Sequence, residues 1–175
     1  DIPIHVDAAS GGFILPFLYP EKKWDFRLKW VLSISTSGHK YGLVYPGLGW
    51  VVWRDKSALP KEMSFSVNYL GANITQVGLN FSRPAAQILA QYYNFIRLGF
   101  EGYKEIHENS MAIARYCHDA IGKMHCFENY SKELDNPLFI WCLKPEYEKN
   151  AKWTLFDLQD KLMQSGWMVP AYTMP

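Results

Sequence analysis

Alternating apolar and polar residues at the start of the chain predict a short β-strand. Ile2, Ile4 and Val6 recur at every second position, which is the period of a strand with one buried face. Asp7 follows them, at the carboxyl end of that strand. Two further apolar runs predict two more strands. The three predicted strands cover residues 2–6, 31–35 and 48–54.

A change to helical spacing predicts two long helices in the middle of the chain. Ser82 is expected to cap the first helix, with Pro84 in its first turn. Gly99 and Gly102 are expected to end it, so that a second helix runs over 103–123. The apolar positions of the second helix are predicted to be core. The two apolar stripes are Ala85, Ile88, Leu89, Tyr92 and Ile96, and then Ile106, Ile113, Cys117, Ala120, Ile121 and Met124.

The last part of the chain returns to short elements. An apolar run predicts a strand over 138–143. Thr154 and Asp157 have the spacing of a capping box, which predicts a helix that ends at Gln164 with Gly166 as its cap. Another strand is predicted over 167–170. The pattern as a whole indicates an α/β fold.

Residues 56–76 differ from their surroundings because they show little periodicity. We predict a long loop or a hairpin there, and long loops in compact domains often close a site. The mixed-charge stretch 21–29 is predicted to be a solvated connection that Trp24 and Phe26 dock.

Composition excludes several classes of protein. Hydrophobic residues make up 49% of the 175 residues and charged residues 20%, so the chain can build a packed core. The net charge of +1 and the absence of a basic block argue against a nucleic-acid partner. No apolar run is long enough to span a bilayer, and no histidine spacing is typical of a zinc site. Three cysteines without a C-x-x-C pair predict a reducing, cytoplasmic setting.

The stretch from Ser33 to Gly42 carries the strongest chemical signal. Lys40 follows a predicted buried strand and lies among small residues and aromatics, a setting that can desolvate an amine and make it a nucleophile toward carbonyls. Ser37 and His39 beside it suit a phosphate. These residue types favour a pyridoxal phosphate site with Lys40 as the Schiff-base lysine. The alternative is a solvated surface lysine, which is the commoner role.

Asp7 is the second candidate site residue. Open α/β sheets bind ligands at the carboxyl ends of their strands, and small residues follow Asp7, with Gly11 and Gly12 allowing close backbone approach. An acid in that place suits a flat, cationic group. The alternative is that Asp7 caps a turn.

Four motifs together resemble the glutamate decarboxylase branch of the fold-type I pyridoxal-phosphate decarboxylases. Asp7 lies 33 residues before Lys40 (40 − 7), and the resemblance extends over essentially the whole chain. It implies L-glutamate as substrate, 4-aminobutanoate and CO₂ as products, and an internal fragment of a longer enzyme that is inactive alone. The motifs are HVDAASGGF, SGHKYGL, GWVVWRD and NFSRPAAQ.

The resemblance also implies a role for individual residues. Lys40 would hold the cofactor as a Schiff base, and Asp7 would pair with its pyridine nitrogen. Ala9 would lie against the ring, while Ser37 and His39 would contact the phosphate. The remaining residues would serve the site of a neighbouring subunit in a homodimer or larger homo-oligomer. Ser82, with Phe81, would contact the phosphate of that site, and Tyr69 and Leu70 would belong to the lid that covers it.

The fold implied by the resemblance is aspartate aminotransferase-like, with a mainly parallel sheet. Residues 1–110 would form the last part of the large cofactor-binding domain, and 111–175 the first part of the small C-terminal α/β domain. Two alternatives stay open. One is another lyase of this fold, acting on an aromatic amino acid or a long-chain-base phosphate. The other is a catalytically dead paralogue that serves as a dimerisation module.

Overall fold

The computed structural model describes residues 2–69, 71–76, 78 and 82–173. They fall into two compact units, divided after residue 108. The first unit contains strands β1 to β5 and helix α1, and the second contains β6, β7, α3 and α4. Helix α2 contributes residues to both. The bounds are β1 Ile4–Asp7, α1 Leu15–Leu18, β2 Val31–Ser37, β3 Gly49–Trp53, β4 Phe65–Tyr69, β5 Ala72–Gln76, α2 Ala86–Gly122, β6 Phe127–Asn129, β7 Trp141–Leu143, α3 Pro145–Glu148 and α4 Leu155–Gln164.

A three-stranded sheet in the order β1-β2-β3 organises the first unit. β1 runs parallel to β2, with Asp7 opposite Ser35, and β3 runs antiparallel to β2. Backbone pairing continues past β1, because the Ala8 N–H donates to the Ser35 carbonyl (2.9 Å) and the Ser37 N–H donates to the Ala9 carbonyl (3.2 Å). The carboxyl ends of β1 and β2 are therefore held side by side.

The small core beside this sheet consists of Ala8, Val31 and Ile34, which are at most 7% exposed. Trp24 and Phe26 pack against it, which confirms that they dock the connection before β2. The expected burial of the first strand is wrong for the described residues, since Ile4 is 45% exposed. β1 lies at one edge of this sheet, so among the described strands only β2 covers it from the side.

The segment after β3 contains two short 3₁₀ turns and a β-hairpin. The turns cover Lys56–Ala58 and Lys61–Met63. β4 and β5 pair antiparallel, with Tyr69 opposite Ala72. Gly71 in the connection has φ 77°, a backbone conformation that glycine adopts without a steric penalty. The hairpin alternative for this stretch is confirmed.

Helix α2 starts later than predicted. It begins at Ala86, so Ser82, four residues earlier, is not its N-cap. Pro84 accounts for part of this difference, because a proline disfavours the helical conformation at the residue before it and so keeps Arg83 out of the first turn. The predicted break is correct at Gly99, whose φ of 60° and ψ of −164° are not helical, and wrong at Gly102, which lies within the helix.

The predicted apolar stripes match the buried face of α2 only in part. In the second stripe Ile106, Cys117, Ala120 and Ile121 are half-buried. Ile88, Leu89, Tyr92 and Ile96 are 50–67% exposed, and in the second stripe Ile113 is 66% exposed and Met124 47%. Helical spacing identifies an apolar face but does not say what covers it. The most buried α2 side chains, each at most 7% exposed, include two polar ones and are Gln91, Tyr103, His107, Met111 and Ala114.

The second unit confirms the predicted helix ends. The Thr154 side chain accepts from the Asp157 N–H, and the Asp157 carboxylate accepts from the Thr154 N–H at 2.7 Å, which completes the capping box. At the other end, Gly166 has φ 83°, and the N–H groups of Gly166 and Trp167 donate to Met163 and Leu162, as in a Schellman motif.

Strand predictions are less accurate in the second unit. The predicted strand 138–143 is reduced to β7, which pairs antiparallel with β6, a strand that was not predicted. Residues 167–170 have no strand partner among the residues that the structure describes. Short strands exist only where a partner supplies the ladder of hydrogen bonds, so an apolar run alone does not predict them.

Candidate cofactor site

The carboxyl ends of β1 and β2 bring together three of the predicted site residues, Asp7, Ala9 and Ser37. Oδ1 of Asp7 accepts from the Ala9 N–H (3.0 Å) and from the Ser35 hydroxyl (3.4 Å). Both contacts use Oδ1, so neither engages the second carboxylate oxygen, Oδ2. Asp7 does form the turn contact expected of a capping acid, yet it is exposed and keeps an oxygen for a ligand.

A chain of hydrogen bonds behind Asp7 was missed at the sequence level. Nδ1 of His5 lies 2.7 Å from the Ser33 hydroxyl, and Nε2 of His5 lies 3.3 Å from the Ser35 hydroxyl. A hydroxyl has one hydrogen, and Ser35 gives it to Asp7. Ser35 must therefore accept from Nε2–H, and in the neutral ring Nδ1 then accepts from Ser33.

The recurrence of polar residues at every second position of both strands was the sequence signal for this chain of hydrogen bonds. His5 and Asp7 alternate on β1, and Ser33, Ser35 and Ser37 alternate on β2, so each set lies on one face of its strand. The parallel register pairs His5 with Ser33 and Asp7 with Ser35. Recognising the two rows as partners required that register.

Lys40 lies in the turn that follows β2. Its N–H donates to the Ser37 carbonyl, and its carbonyl accepts from the Leu43 N–H, each at 3.3 Å. The prediction that its neighbours desolvate it is wrong for the described residues, since Lys40 is exposed. The reason is that the nearby small and aromatic residues pack under the turn, on the side away from solvent: Gly38 and Gly42 are buried and Tyr41 is half-buried.

His39 is exposed and has a defined tautomer. Its Nδ1 lies 3.1 Å from the carbonyl of Leu48. A carbonyl only accepts, so Nδ1 carries a hydrogen and donates it. Any phosphate contact of this ring therefore falls to Nε2, which can donate only from the imidazolium form.

The residues predicted to serve a neighbouring site are separate from this group. Ser82 is exposed in a bend before α2, and Tyr69 is the last residue of β4. Phe81 and Leu70 lie outside the described residues. Within the part of the chain that the structure describes, no hydrogen bond joins Ser82 to Asp7 or Lys40.

The turn that carries Lys40 rests on polar side chains of α2, which were also missed. The Gln91 amide and the Tyr103 hydroxyl both donate to the Gly42 carbonyl, at 2.8 and 2.9 Å. Burial raises the pKa of the Tyr103 phenol and lowers the pKa of the neighbouring His107 imidazole. At neutral pH this underside of the turn is therefore polar but uncharged. A glutamine within an apolar helix stripe was the only trace of it in the sequence.

The polar side chains at these strand ends fit pyridoxal phosphate. A carboxylate with Oδ2 left unengaged by its own strand contacts suits a protonated pyridine nitrogen, and an exposed amine at the end of the neighbouring parallel strand suits an aldehyde. Ser37 and His39, next to that amine, supply a hydroxyl and an imidazole for a phosphate. The backbone pairing of Ala9 with Ser37 keeps these two groups of residues together.

The pyridoxal-dependent decarboxylase conserved domain matches residues 1–144. The chain belongs to this family of fold-type I enzymes, whose cofactor is pyridoxal phosphate. More particularly, it is 56% identical over its full length to glutamate decarboxylase 5 of Arabidopsis thaliana.

Solved structures agree with that placement. The glutamate decarboxylase of Lactobacillus brevis superposes with a TM-score of 0.88 at 52% identity, over 99% of this chain and 39% of that one. A sphingosine-1-phosphate lyase of Burkholderia pseudomallei superposes with a TM-score of 0.78 at 26% identity, over 100% of this chain and 39% of that one. The chain spans about a third of the length of its curated relatives, 35% for the Arabidopsis protein.

Proposed function

We propose that the full-length protein carrying this sequence converts L-glutamate to 4-aminobutanoate and CO₂ with pyridoxal phosphate. The observation that carries the proposal is the placement of Asp7 and Lys40 at the carboxyl ends of two paired parallel strands. The 56% identity to a protein named glutamate decarboxylase supports glutamate as the substrate. The 26% identity to the lyase supports the phosphate-lyase alternative much less.

Each residue of the site has a defined task in this proposal. Lys40 binds the cofactor through Nζ, and Asp7 holds a proton on the pyridine nitrogen through Oδ2. Ala9 lies against the ring, and Ser37 and His39 bind the phosphate. The hydrogen bond from Ser35 to Oδ1 keeps the Asp7 carboxylate from rotating. His5 fixes the direction of that hydrogen bond by donating to Ser35.

Pyridoxal phosphate supplies an electron sink for the pair of electrons left when the bond between Cα and the carboxylate breaks and CO₂ departs. The Asp7 carboxylate keeps the pyridine nitrogen protonated, which maintains that sink. A proton must then return to Cα, and the Lys40 ammonium is the candidate donor within this chain. Its exposed position leaves it accessible to substrate.

The domain assignment is part of the proposal. Residues 1–110 would belong to the large cofactor-binding domain and 111–175 to the small domain that follows it. The division of the chain into two compact units after residue 108 supports a boundary in this region.

A homo-oligomer with shared active sites is proposed as the working form. The exposed apolar face of α2 supports an interface, because Ile88, Leu89, Tyr92 and Ile96 are each at least half exposed. In that assembly Ser82 and Phe81 would contact the phosphate of the neighbour's cofactor, and Tyr69 and Leu70 would belong to its lid.

A cytoplasmic location is proposed as well. The free thiols of Cys117, Cys126 and Cys142 support it. As a separate finding, none of the described helices has the length and hydropathy of a transmembrane span.

A mixing experiment tests the shared site. Lys40→Ala and Ser82→Glu are each expected to be inactive alone, because the second places a negative charge against the phosphate. In a mixed dimer with shared sites, one site carries both lesions and the other carries neither. Co-expression should then restore a substantial part of the activity. Activity that stays near zero in the mixture would show that each subunit builds its own site.

A substrate panel tests the reaction. The full-length protein is expected to release CO₂ from glutamate much faster than from aspartate or aromatic amino acids, with one 4-aminobutanoate formed per CO₂. An aromatic amino acid as the best substrate would favour the related lyase. A protein that binds the cofactor but turns over no amino acid would favour the dead paralogue.

A further inference from the structure

The turn that carries Lys40 is built around one buried glutamine. Gln91 is fully buried, and its amide donates both to the Gly42 carbonyl (2.8 Å) and to the Tyr103 hydroxyl (2.9 Å). The Tyr103 hydroxyl in turn donates to the same Gly42 carbonyl at 2.9 Å. The three groups form a closed triangle of hydrogen bonds two residues after Lys40.

The glycines on either side of Lys40 are required by close packing, against Gln91 at both positions and also against the Gly38 backbone at Gly42, where an added Cβ would lie 2.5 Å from the Gly38 carbonyl oxygen. A Cβ atom at Gly38 would lie 2.5 Å from Oε1 of Gln91, and one at Gly42 would lie 2.8 Å from it. Any larger residue would push the glutamine out or displace the turn. Oε1 has no hydrogen-bond partner among the described residues, so packing against the two glycines is what fixes it.

A third contact extends the hold on the turn. The Asn94 amide donates to the Leu43 carbonyl at 2.8 Å. Leu43 has φ 66°, a left-handed conformation that is uncommon for a residue other than glycine and persists only where the surroundings enforce it. The carbonyls of Gly42 and Leu43 are thus both held by hydrogen bonds from side chains of α2.

The kink at Gly99 is what allows Gln91 and Tyr103 to meet. Twelve residues of straight helix would separate them by about 18 Å along the axis and rotate them by about 120°. The non-helical backbone of Gly99 lies between them and brings their side chains to 2.9 Å. Phe17 then stacks on the Tyr103 ring, with centroids 5.1 Å apart, and holds it in place.

We propose that Gln91 is a positioning residue for Lys40, and that Gln91, Tyr103 and the Gly99 kink form a clamp that sets where the lysine amine is held. This inference rests on the proposed role of Lys40. A turn held at Gly42 presents the amine in one place, whereas a loosened turn samples many. Misplacement of a reacting group by about 1 Å can lower a rate roughly a hundredfold.

The test uses Gln91→Met in the full-length protein, since methionine has a similar length and no N–H to donate. The apoprotein is mixed with pyridoxal phosphate, and the absorption of the lysine-linked cofactor is followed with time. We expect linkage to slow about tenfold or more and kcat to fall similarly, with KM little changed. Tyr103→Phe keeps the ring contacts and should show a smaller change in the same direction. In the double variant, the effects of the two substitutions on the linkage rate should be less than additive.

Controls separate positioning from general loss of stability. Ile14→Val alters a fully buried residue between a short 3₁₀ turn at Gly11–Phe13 and α1, and it should lower the melting temperature without slowing linkage. Unchanged linkage rate and kcat in Gln91→Met overturn the clamp. If Gln91→Met does not fold, Tyr103→Phe decides, and normal linkage in that variant overturns the clamp too. If borohydride labels a lysine other than Lys40 in the parent protein, the proposed function itself fails.

Discussion

Replacing Lys40 with alanine in the full-length protein is expected to lower the rate of decarboxylation by a factor on the order of 10³ or more, in the range seen when a nucleophile is removed from an enzyme. The methyl group of alanine can neither bind the cofactor covalently nor deliver a proton. The visible or near-ultraviolet absorption of the lysine-linked cofactor should disappear as well. Lys40 is exposed at the end of β2, so the change should leave the packed core unaltered.

Two companion variants make this expectation specific. Lys40→Arg keeps the positive charge but cannot form the covalent link, so it should be as inactive as alanine. Lys23→Ala removes another exposed lysine of the first unit and should retain activity. Borohydride reduction of the parent, followed by peptide mapping, should place the cofactor on Lys40. Label on a different lysine would contradict the assignment.

Replacing Asp7 with asparagine is expected to reduce turnover by roughly tenfold to a hundredfold while cofactor binding falls much less. Asp7 is exposed, and bound cofactor would cover it and bury its pairing with the pyridine nitrogen. Breaking a buried charge pair costs about 3–5 kcal/mol, and half of that cost in the transition state corresponds to this loss of rate. Asparagine keeps an oxygen that can accept from the Ala9 N–H and from Ser35, so the local backbone should be preserved.

For Asp7→Asn, both kcat and the dissociation constant of the cofactor are measured and compared with those of the parent protein. Ser35→Ala is the matched comparison: it keeps the negative charge of Asp7 and removes the hydrogen bond to Oδ1, together with the contact between the Ser35 hydroxyl and Nε2 of His5. It should therefore reduce kcat by much less. A normal kcat in Asp7→Asn would show that Asp7 does not pair with the pyridine nitrogen. Asp7 would then be only a turn cap, the role that its hydrogen bond with Ala9 indicates.

Local rules were sufficient wherever the partners of a feature are close in sequence. The capping box joins Thr154 to Asp157, three residues apart, and the helix end at Gly166 uses contacts within five residues. The break at Gly99 follows from a conformation that only glycine adopts readily. Ser82 shows the limit of such rules, because a good capping residue cannot act when Pro84 keeps its successor out of the helix.

The long helix α2 shows why burial was predicted poorly. Its apolar stripe was visible in the sequence, but Leu89 and Ile96 are about two-thirds exposed, whereas Gln91 is fully buried. A buried amide N–H needs an acceptor, and the carbonyl that accepts from Nε2 of Gln91 belongs to Gly42, 49 residues earlier. No periodicity within α2 contains that partner.

The sequence by itself determined the chemistry of this chain: an acid and a lysine that each end an apolar strand, with a hydroxyl and an imidazole beside the lysine. Those are properties of residue types and of short-range order. The tertiary structure alone decided which hydroxyl holds Asp7, 28 residues away, and which helix supports the turn of Lys40, through a contact that spans 61 residues to Tyr103. The physical reason is that strand register and the kink at Gly99 set these pairings, and both arise from packing between segments that are distant in the chain.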